Sequence, residues 1–476
     1  MNYNAIIIGS GPNGLAAGIR LAQEGWSVKI FERNDSIGGG TRTQELTLPG
    51  FQHDVCSAIH PLAKASPFFQ TLPLEKYGVE WIKPEVPVAH PLDDQPAGAL
   101  FQSLDQTINQ LRDDGSTYQK IVEPLLQHWD KLVPQILAPF TLLPDHPLLM
   151  ARFGSDGLRS AKAFASKFKT EKLRAIIAGL SAHGILPFDQ TATAAIGLVL
   201  GLAAHTVGWP FPKGGSYKLT EAMAEYFQSL GGEIETNVEV TDLEQLPKSD
   251  TILFDITPKQ ILEIARDQLP STYKRKLQQF KYGLGVFKID FALNDPIPWK
   301  DEVCQKAGTV HLGGTFGEIA KSESETAQGK HPENPFVLVA QHSLFDESRA
   351  PAGKHTAWAY SHVPNGSTQD MTEPIIKQIE RFAPGFRDCI LDYHTMNTVA
   401  MQAYNPNYVG GDINGGRQDI TQLFTRPAGL FNPYHIPTTN MFICSSSTPP
   451  GGGVHGMCGY HAAESAIENT YTPKWI

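Results

Sequence analysis

One stretch near the start of the chain leaves few folds open to it. Ala5-Ile6-Ile7-Ile8-Gly9-Ser10-Gly11-Pro12-Asn13-Gly14 is followed by a helical run and then by Val28-Lys29-Ile30-Phe31-Glu32-Arg33. An apolar strand enters a Gly-x-Gly-x-x-Gly turn, a helix follows, and a second strand ends on an acid. Each spacing has a physical reason. Gly9 permits the tight turn, Gly11 lets the backbone approach a pyrophosphate, and Gly14 lets helix and strand pack closely. The helix that begins there turns its positive end and its free N–H groups toward phosphates. Glu32 stands 18 residues beyond Gly14, where an acid at a strand end accepts hydrogen bonds from ribose hydroxyls. A lone glycine turn carries little weight. Strand, turn, helix and acid in this order predict a dinucleotide-binding βαβ unit, and with it an α/β fold.

A chain of 476 residues predicts two or more lobes. A hydrophobic content of 41% and a charged content of 18% suit a soluble protein with a large core. The net charge of −10 argues against a general nucleic-acid binder, which needs a basic surface. The five cysteines are scattered and form no Cys-x-x-Cys, so Cys56 and Cys458 read as small buried residues in a reducing compartment. The 16 histidines show no compact metal-ligand spacing, and no metal site is expected. No secretory pattern opens the chain and no strongly apolar run reaches about 18 residues, which predicts a cytoplasmic protein. The nearest candidate, 191–212, reads as a buried helix.

Residues 1–65 hold the dinucleotide unit and its glycine-rich tail, Gly38-Gly39-Gly40-Thr41-Arg42-Thr43. Residues 66–205 read as mainly helical and are broken by prolines into short pieces, a lid over a pocket or channel. From Phe211 an α/β layer returns, with a helix over 218–230 and strands over 233–240 and 251–256. The segment 276–404 alternates like an antiparallel sheet, for example Val286-Phe287-Lys288-Ile289-Asp290-Phe291, with one helix around 371–382. After 405 come glycine-rich loops, a strand over 440–444, and Pro449-Pro450-Gly451-Gly452-Gly453-Val454-His455-Gly456 ahead of a closing helix. The expected architecture is a Rossmann-like domain built from 1–65, 206–275 and 405–476. A substrate lobe combines the 66–205 helical lid with the 276–404 sheet. No second Gly-x-Gly-x-x-Gly unit exists for a nicotinamide, which favours oxygen or a quinone as electron acceptor.

The opening turn, Glu32-Arg33, the glycine cluster, Pro212-Lys213-Gly214-Gly215 and the C-terminal Pro-Gly-Gly-Gly-Val-x-Gly together resemble the phytoene desaturase-like FAD oxidoreductases. These belong to the wider glutathione-reductase/amine-oxidase class of flavoproteins. Ser343-Leu344-Phe345-Asp346 followed by Arg349-Ala350-Pro351-Ala352-Gly353-Lys354-His355 is similar to the branch named for a pyridine nucleotide-disulphide oxidoreductase domain. The resemblance implies an extended FAD rather than NAD. Gly9, Gly11, Pro12, Asn13 and Gly14 would surround the pyrophosphate, Glu32 the adenosine ribose, and Arg33, Gly39 and Gly40 would complete that cradle. Val238 or Val240 would offer backbone contacts on the adenine side. Gly452, Gly453 and Val454 would bring a second helix N-terminus to the flavin pyrimidine. Many relatives place an arginine directly after the glycine pair; here two residues intervene before Arg42, which would reach a phosphate from its loop.

Candidate polar participants in catalysis are few. His60 follows the glycine cluster and His455 sits in the C-terminal loop, each also readable as a structural residue. Trp209 and Phe211 read either as substrate-facing or as core. The resemblance implies a dehydrogenase or desaturase that removes hydride from an apolar, isoprenoid or lipid-like substrate. The same cofactor layer supports an amine oxidase, for which Lys213 and Lys288 are candidate lysines, and a non-catalytic lipid- or prenyl-protein-binding protein. The apolar stretch Leu142-Leu143-Pro144 through Pro147-Leu148-Leu149-Met150 is suited to dip into a membrane interface, to pack inside the lid, or to form a dimer contact. Oligomeric state is not legible.

Overall fold

The computed structural model describes residues 2–471. The first apolar strand, Tyr3–Ile8, lies at the centre of a five-stranded sheet in the order Met441–Ile443, Ser249–Phe254, Tyr3–Ile8, Val28–Phe31, Glu233–Glu235. Every neighbouring pair is parallel. A parallel sheet is covered on both faces, which is why these strands read as apolar runs rather than alternating ones. Ile6 and Ile7 point to opposite faces and both are fully buried. The helix Pro12–Gln23 starts directly after the glycine turn with proline in its first turn, where a missing N–H is harmless. It is pressed close to the turn: a Cβ on Gly14 would lie 2.2 Å from the Gly9 carbonyl oxygen.

The strand expected over 233–240 is shorter, Glu233–Glu235. Asn237 takes a left-handed φ of 60° and turns the chain back, so that the Val238 N–H donates to the Glu32 carbonyl at 2.9 Å. The strand expected over 251–256 is displaced to Ser249–Phe254.

The second sheet has seven strands, in the order Ile390–Met396, Gly285–Leu293, His355–Val363, Val337–Ala340, Ala307–Leu312, Val86–His90, Gly98–Leu100. It departs from the sequence expectation in two ways. It is mixed, because Ala307–Leu312 pairs in parallel with Val86–His90. Its last two strands come from the segment read as mainly helical. Val86–His90 carries a proline and is too short for its period to show, yet all five residues are buried. Further helices also interrupt the 276–404 segment, the longest of them Phe316–Ala327, opened by a capping box between Thr315 and Glu318. One face of the sheet buries Phe287, Ile289, Phe291 and Leu293 with Ile375, Ile379 and Phe382 of the helix Thr372–Phe382. The other face turns toward the cofactor layer.

The helices between Leu104 and Thr206 pack around a core of their own, with Leu132, Phe164, Phe168, Leu173, Leu198 and Leu202 at its centre. The helix Thr193–Thr206 is buried within it. Among the described residues no helix is long and apolar enough to cross a membrane.

Candidate active site

One cavity of about 1110 Å³ runs from the glycine turn to the helical lid. Its wall brings together residues separated by most of the chain: Gly9, Gly11, Pro12, Asn13, Glu32, Arg33, Gly39, Gly40, Arg42, Val238, Gly452, Gly453 and Val454, with His60 and His455. Gly14 stands behind this wall, where its N–H donates to Asp255 Oδ2 at 3.0 Å. Two helix N-termini converge on the cavity, those of Pro12–Gln23 and Met457–Tyr471. They are in direct contact, since a Cβ on Gly459 would fall 1.9 Å from the Asn13 carbonyl oxygen. The Gly452–Val454 loop predicts the second helix; its contact through Gly459 shows only in the fold.

The acid and the arginine are held by the protein's own groups. Glu32 Oε2 accepts from the Ser10 N–H at 3.1 Å and from the Ser10 hydroxyl at 2.7 Å. Its Oε1 accepts from the Asn34 N–H at 3.0 Å and from Arg42 Nη2 at 3.2 Å. Arg42 also donates to the Ser36 and Ile37 carbonyls and lies over the Tyr404 ring. Two extra residues before Arg42 thus turn it onto Glu32, where it orients the acid. The Val238 N–H is committed to Glu32, and Val240 joins Val238 in the cavity wall. Arg33 is exposed and stands 3.7 Å from Glu239.

Asp255, at the end of Ser249–Phe254, is a cradle residue that the sequence reading missed, although an apolar strand ending in aspartate is the signal for it. Burial pushes its carboxyl well above the usual range; the Gly14 N–H opposes the shift and Glu32 reinforces it. A Cβ on Gly11 would meet Asp255 Oδ2 at 2.6 Å, so the turn admits no side chain there.

Beyond the cradle the cavity opens into a chamber walled by the lid (Phe153, Ile196, Val199, Leu200) and by the second sheet (Leu338, Trp358, Tyr360). Trp209 lines it as well and donates its indole N–H to the Leu200 carbonyl at 3.2 Å. Phe211 does not; it packs edge-on against His342. At the outer end the wall is continued by Phe140, Leu142 and Leu143.

Known proteins show the same design. The NAD(P)-binding Rossmann-like domain family matches residues 7–72. The pyridine nucleotide-disulfide oxidoreductase domain-containing protein 2 of Mus musculus is 25% identical, over 97% of this chain and 92% of its own. A 4,4'-diapophytoene desaturase of Methylomonas sp is 22% identical, over 94% of this chain and 92% of its own. The chain is a homologue of the phytoene desaturase-like oxidoreductases. The fold of a solved oxidoreductase from Methanosarcina mazei superposes with a TM-score of 0.66 at 15% identity, covering 98% of this chain and 100% of that one.

The cavity fits FAD, the cofactor that the sequence resemblance implies. The glycines leave a groove that any Cβ would fill: one on Gly40 would strike the Tyr408 hydroxyl at 2.2 Å, one on Gly452 the Gln418 amide at 2.9 Å. Among the described residues, four lining residues carry a buried polar atom with no hydrogen-bond partner: Asn13 Oδ1, Thr309 Oγ1, Trp358 Nε1 and His455 Nε2. His455 Nδ1 accepts the Met457 N–H at 3.1 Å, so the ring carries its proton on Nε2 and offers a donor. Gly9 to Asn13, Gly39 and Gly40 would hold the diphosphate half of FAD, and Gly452 to Val454 its ring half.

The loop after the glycine cluster is fixed by a buried ion pair between Asp54 and Arg349, both essentially inaccessible to solvent. Asp54 Oδ1 also accepts from the Thr43 hydroxyl at 2.6 Å and from the Ser216 N–H at 2.8 Å. Burial acts to raise the Asp54 carboxyl, but Arg349, then His342, hold it well below the usual range. His60 belongs to this framework, its Nε2 2.8 Å from the Ser216 hydroxyl. Burial lowers His60 to about 4 and His455 to about 4, so both are neutral at pH 7. Lys213 is exposed and pairs with Glu80, while Lys288 is buried, paired with Asp290 and set over the Trp358 ring. All five cysteines are free, and Cys56 and Cys458 are buried.

Proposed function

We propose that this oxidoreductase removes hydride from an apolar, isoprenoid or lipid-like substrate held in the chamber between lid and sheet. The observation that carries the reading is the continuity of one cavity from the dinucleotide cradle into walls of Phe153, Ile196, Val199, Leu200 and Leu338. The isoalloxazine ring of bound FAD supplies the redox chemistry. The chain's own part is to hold the reacting carbon within about 3–3.5 Å of its acceptor and to exclude water. Neutral His60 and His455 add no charge to the cavity, which suits an apolar substrate. The relation to a diapophytoene desaturase points the same way.

A substrate of this kind is drawn from a bilayer by a cytoplasmic protein that touches its surface. Leu142 and Leu143, in the cavity wall, are 71% and 87% exposed, and Leu148, five residues further on, is 87% exposed; these three form the surface proposed for that contact.

The test is anaerobic titration of the purified holoenzyme with a polyene (phytoene or the alcohol-bearing retinol) in detergent and, separately, with putrescine, following the flavin's visible absorbance. Bleaching by the polyene supports the reading. Bleaching by the amine, with none by the polyene, rejects it in favour of amine oxidation.

A further inference from the structure

His183 follows the last turn of the helix Glu171–Ala182 and lines the chamber. Its Nε2 lies 3.0 Å from Nε2 of His311, on the strand Ala307–Leu312. Trp209 packs edge-on against both rings, with centroids 5.6 and 5.9 Å away. The hydride chemistry proposed above gives this pair no task.

The protonation pattern of the pair follows from what surrounds it. Burial lowers His183 to about 3 and His311 well below the usual range, so both rings are neutral. A neutral imidazole has one N–H and one lone pair. His311 Nδ1 is buried with no partner, pressed against the helix at Gly179, where a Cβ would come within 2.4 Å. A proton on that nitrogen would be an N–H facing no acceptor, the kind of orphan that folded proteins avoid most strictly. His311 therefore carries its proton on Nε2 and donates it to His183 Nε2. That bond leaves the proton of His183 on Nδ1. Among the described residues, His183 Nδ1 has no hydrogen-bond partner and, unlike His311 Nδ1, is not sealed from solvent.

We infer that His183 donates a hydrogen bond from Nδ1 to an oxygen of the substrate, so that the apolar substrate of this enzyme bears a carbonyl or hydroxyl group. The inference rests on the apolar-chamber reading and sharpens it. In a chamber with Leu338 and Val199 in its wall, a fixed donor selects strongly, because a ligand without an acceptor strands it. His311 is the positioning residue: it touches no substrate and sets the tautomer of the one that does.

The experiment measures binding of 2-tridecanone and of tridecane to the holoenzyme, read from the perturbation of the flavin spectrum. The expected result is a preference for the ketone of about tenfold, the size of one well-made hydrogen bond. The preference disappears in His183→Phe and survives in His183→Gln, whose amide keeps a donor. It falls in His311→Leu and returns in His311→Gln. Nitrogen-15 histidine spectra, assigned through the resonance lost in His183→Gln, show the Nδ1–H form for His183. Equal binding of ketone and alkane, a preference that persists in His183→Phe, or an Nε2–H form overturns the inference while the apolar chamber stands. Binding of neither ligand overturns both.

Discussion

The cradle and the chamber share one cavity and are built by opposite means. The cradle is backbone: Gly9, Gly11, Gly39, Gly40, Gly452 and Gly453 contribute the absence of side chains, and two helix N-termini contribute N–H groups. The chamber is side chain, with Phe153, Val199 and Leu200 from the lid facing Leu338, Trp358 and Tyr360 from the sheet. A backbone site tolerates no added atom, because a neighbouring main chain cannot move aside. A side-chain site tolerates exchange of shape and responds through which substrate fits. The two should therefore fail differently under mutation.

The largest effect is expected in the cradle. Gly14→Val or Gly459→Val forces side-chain atoms into carbonyls at 2.2 and 1.9 Å, a conflict of more than about 3 kcal/mol that rotamer changes cannot relieve. Flavin content and thermal unfolding should both collapse; a stable, yellow Gly459→Val protein would show that the helices are not held together there.

Next comes the ion pair behind the cradle. Arg349→Met leaves Asp54 charged and buried, at a cost of about 3–5 kcal/mol in urea unfolding. Acid should act in the same direction on the unmutated protein. His53, His60, His342 and His455 are lowered to about 4 by burial, while unfolded histidine titrates near about 6.5. Between those values the unfolded chain binds more protons than the folded one, so stability falls as pH drops from about 6.5 to about 4. Below about 3.9, the depressed Asp54 carboxyl adds a further loss, because the unfolded aspartate protonates first. Urea midpoints at pH 7.5, 5.5 and 4.5 read this out; a flat profile would contradict the buried neutral histidines.

The chamber should respond in substrate handling instead. Val199→Phe places a ring in its wall, and a steric conflict of about 1–3 kcal/mol should raise KM for the longest substrates while flavin content stays constant. Loss of flavin in this variant would erase the distinction between the two regions. The smallest effect on stability, within about 0.5 kcal/mol, is expected for Leu143→Ser with Leu148→Ser. Both side chains are largely exposed, and flotation with phosphatidylcholine vesicles should show the double variant leaving the lipid fraction that the unmutated protein enters.

Legibility in the sequence follows the same division. The Gly9–Gly14 turn, Glu32 and the Gly452–Val454 loop stand out because glycine and a strand-end acid are local signals of what the backbone must do. Asp255 was readable by the same rule and went unread. Val86–His90 was hidden, since a short strand with a proline shows its identity only in its pairing with Ala307–Leu312. The partner of Arg42 was hidden for a related reason: the sequence shows that an arginine follows the glycines, and only the fold shows Glu32 within its reach.

What the sequence determined alone was the parallel layer and the place where a dinucleotide lies, because turn geometry, strand hydrophobicity and helix polarity act over a few tens of residues. The tertiary structure alone decided the assignment of Arg42 to Glu32, the Asp54–Arg349 framework and the His183–His311 pair. Each joins residues that the chain separates and long-range packing brings together, and in a low-dielectric interior the partner, not the residue, sets charge and proton position.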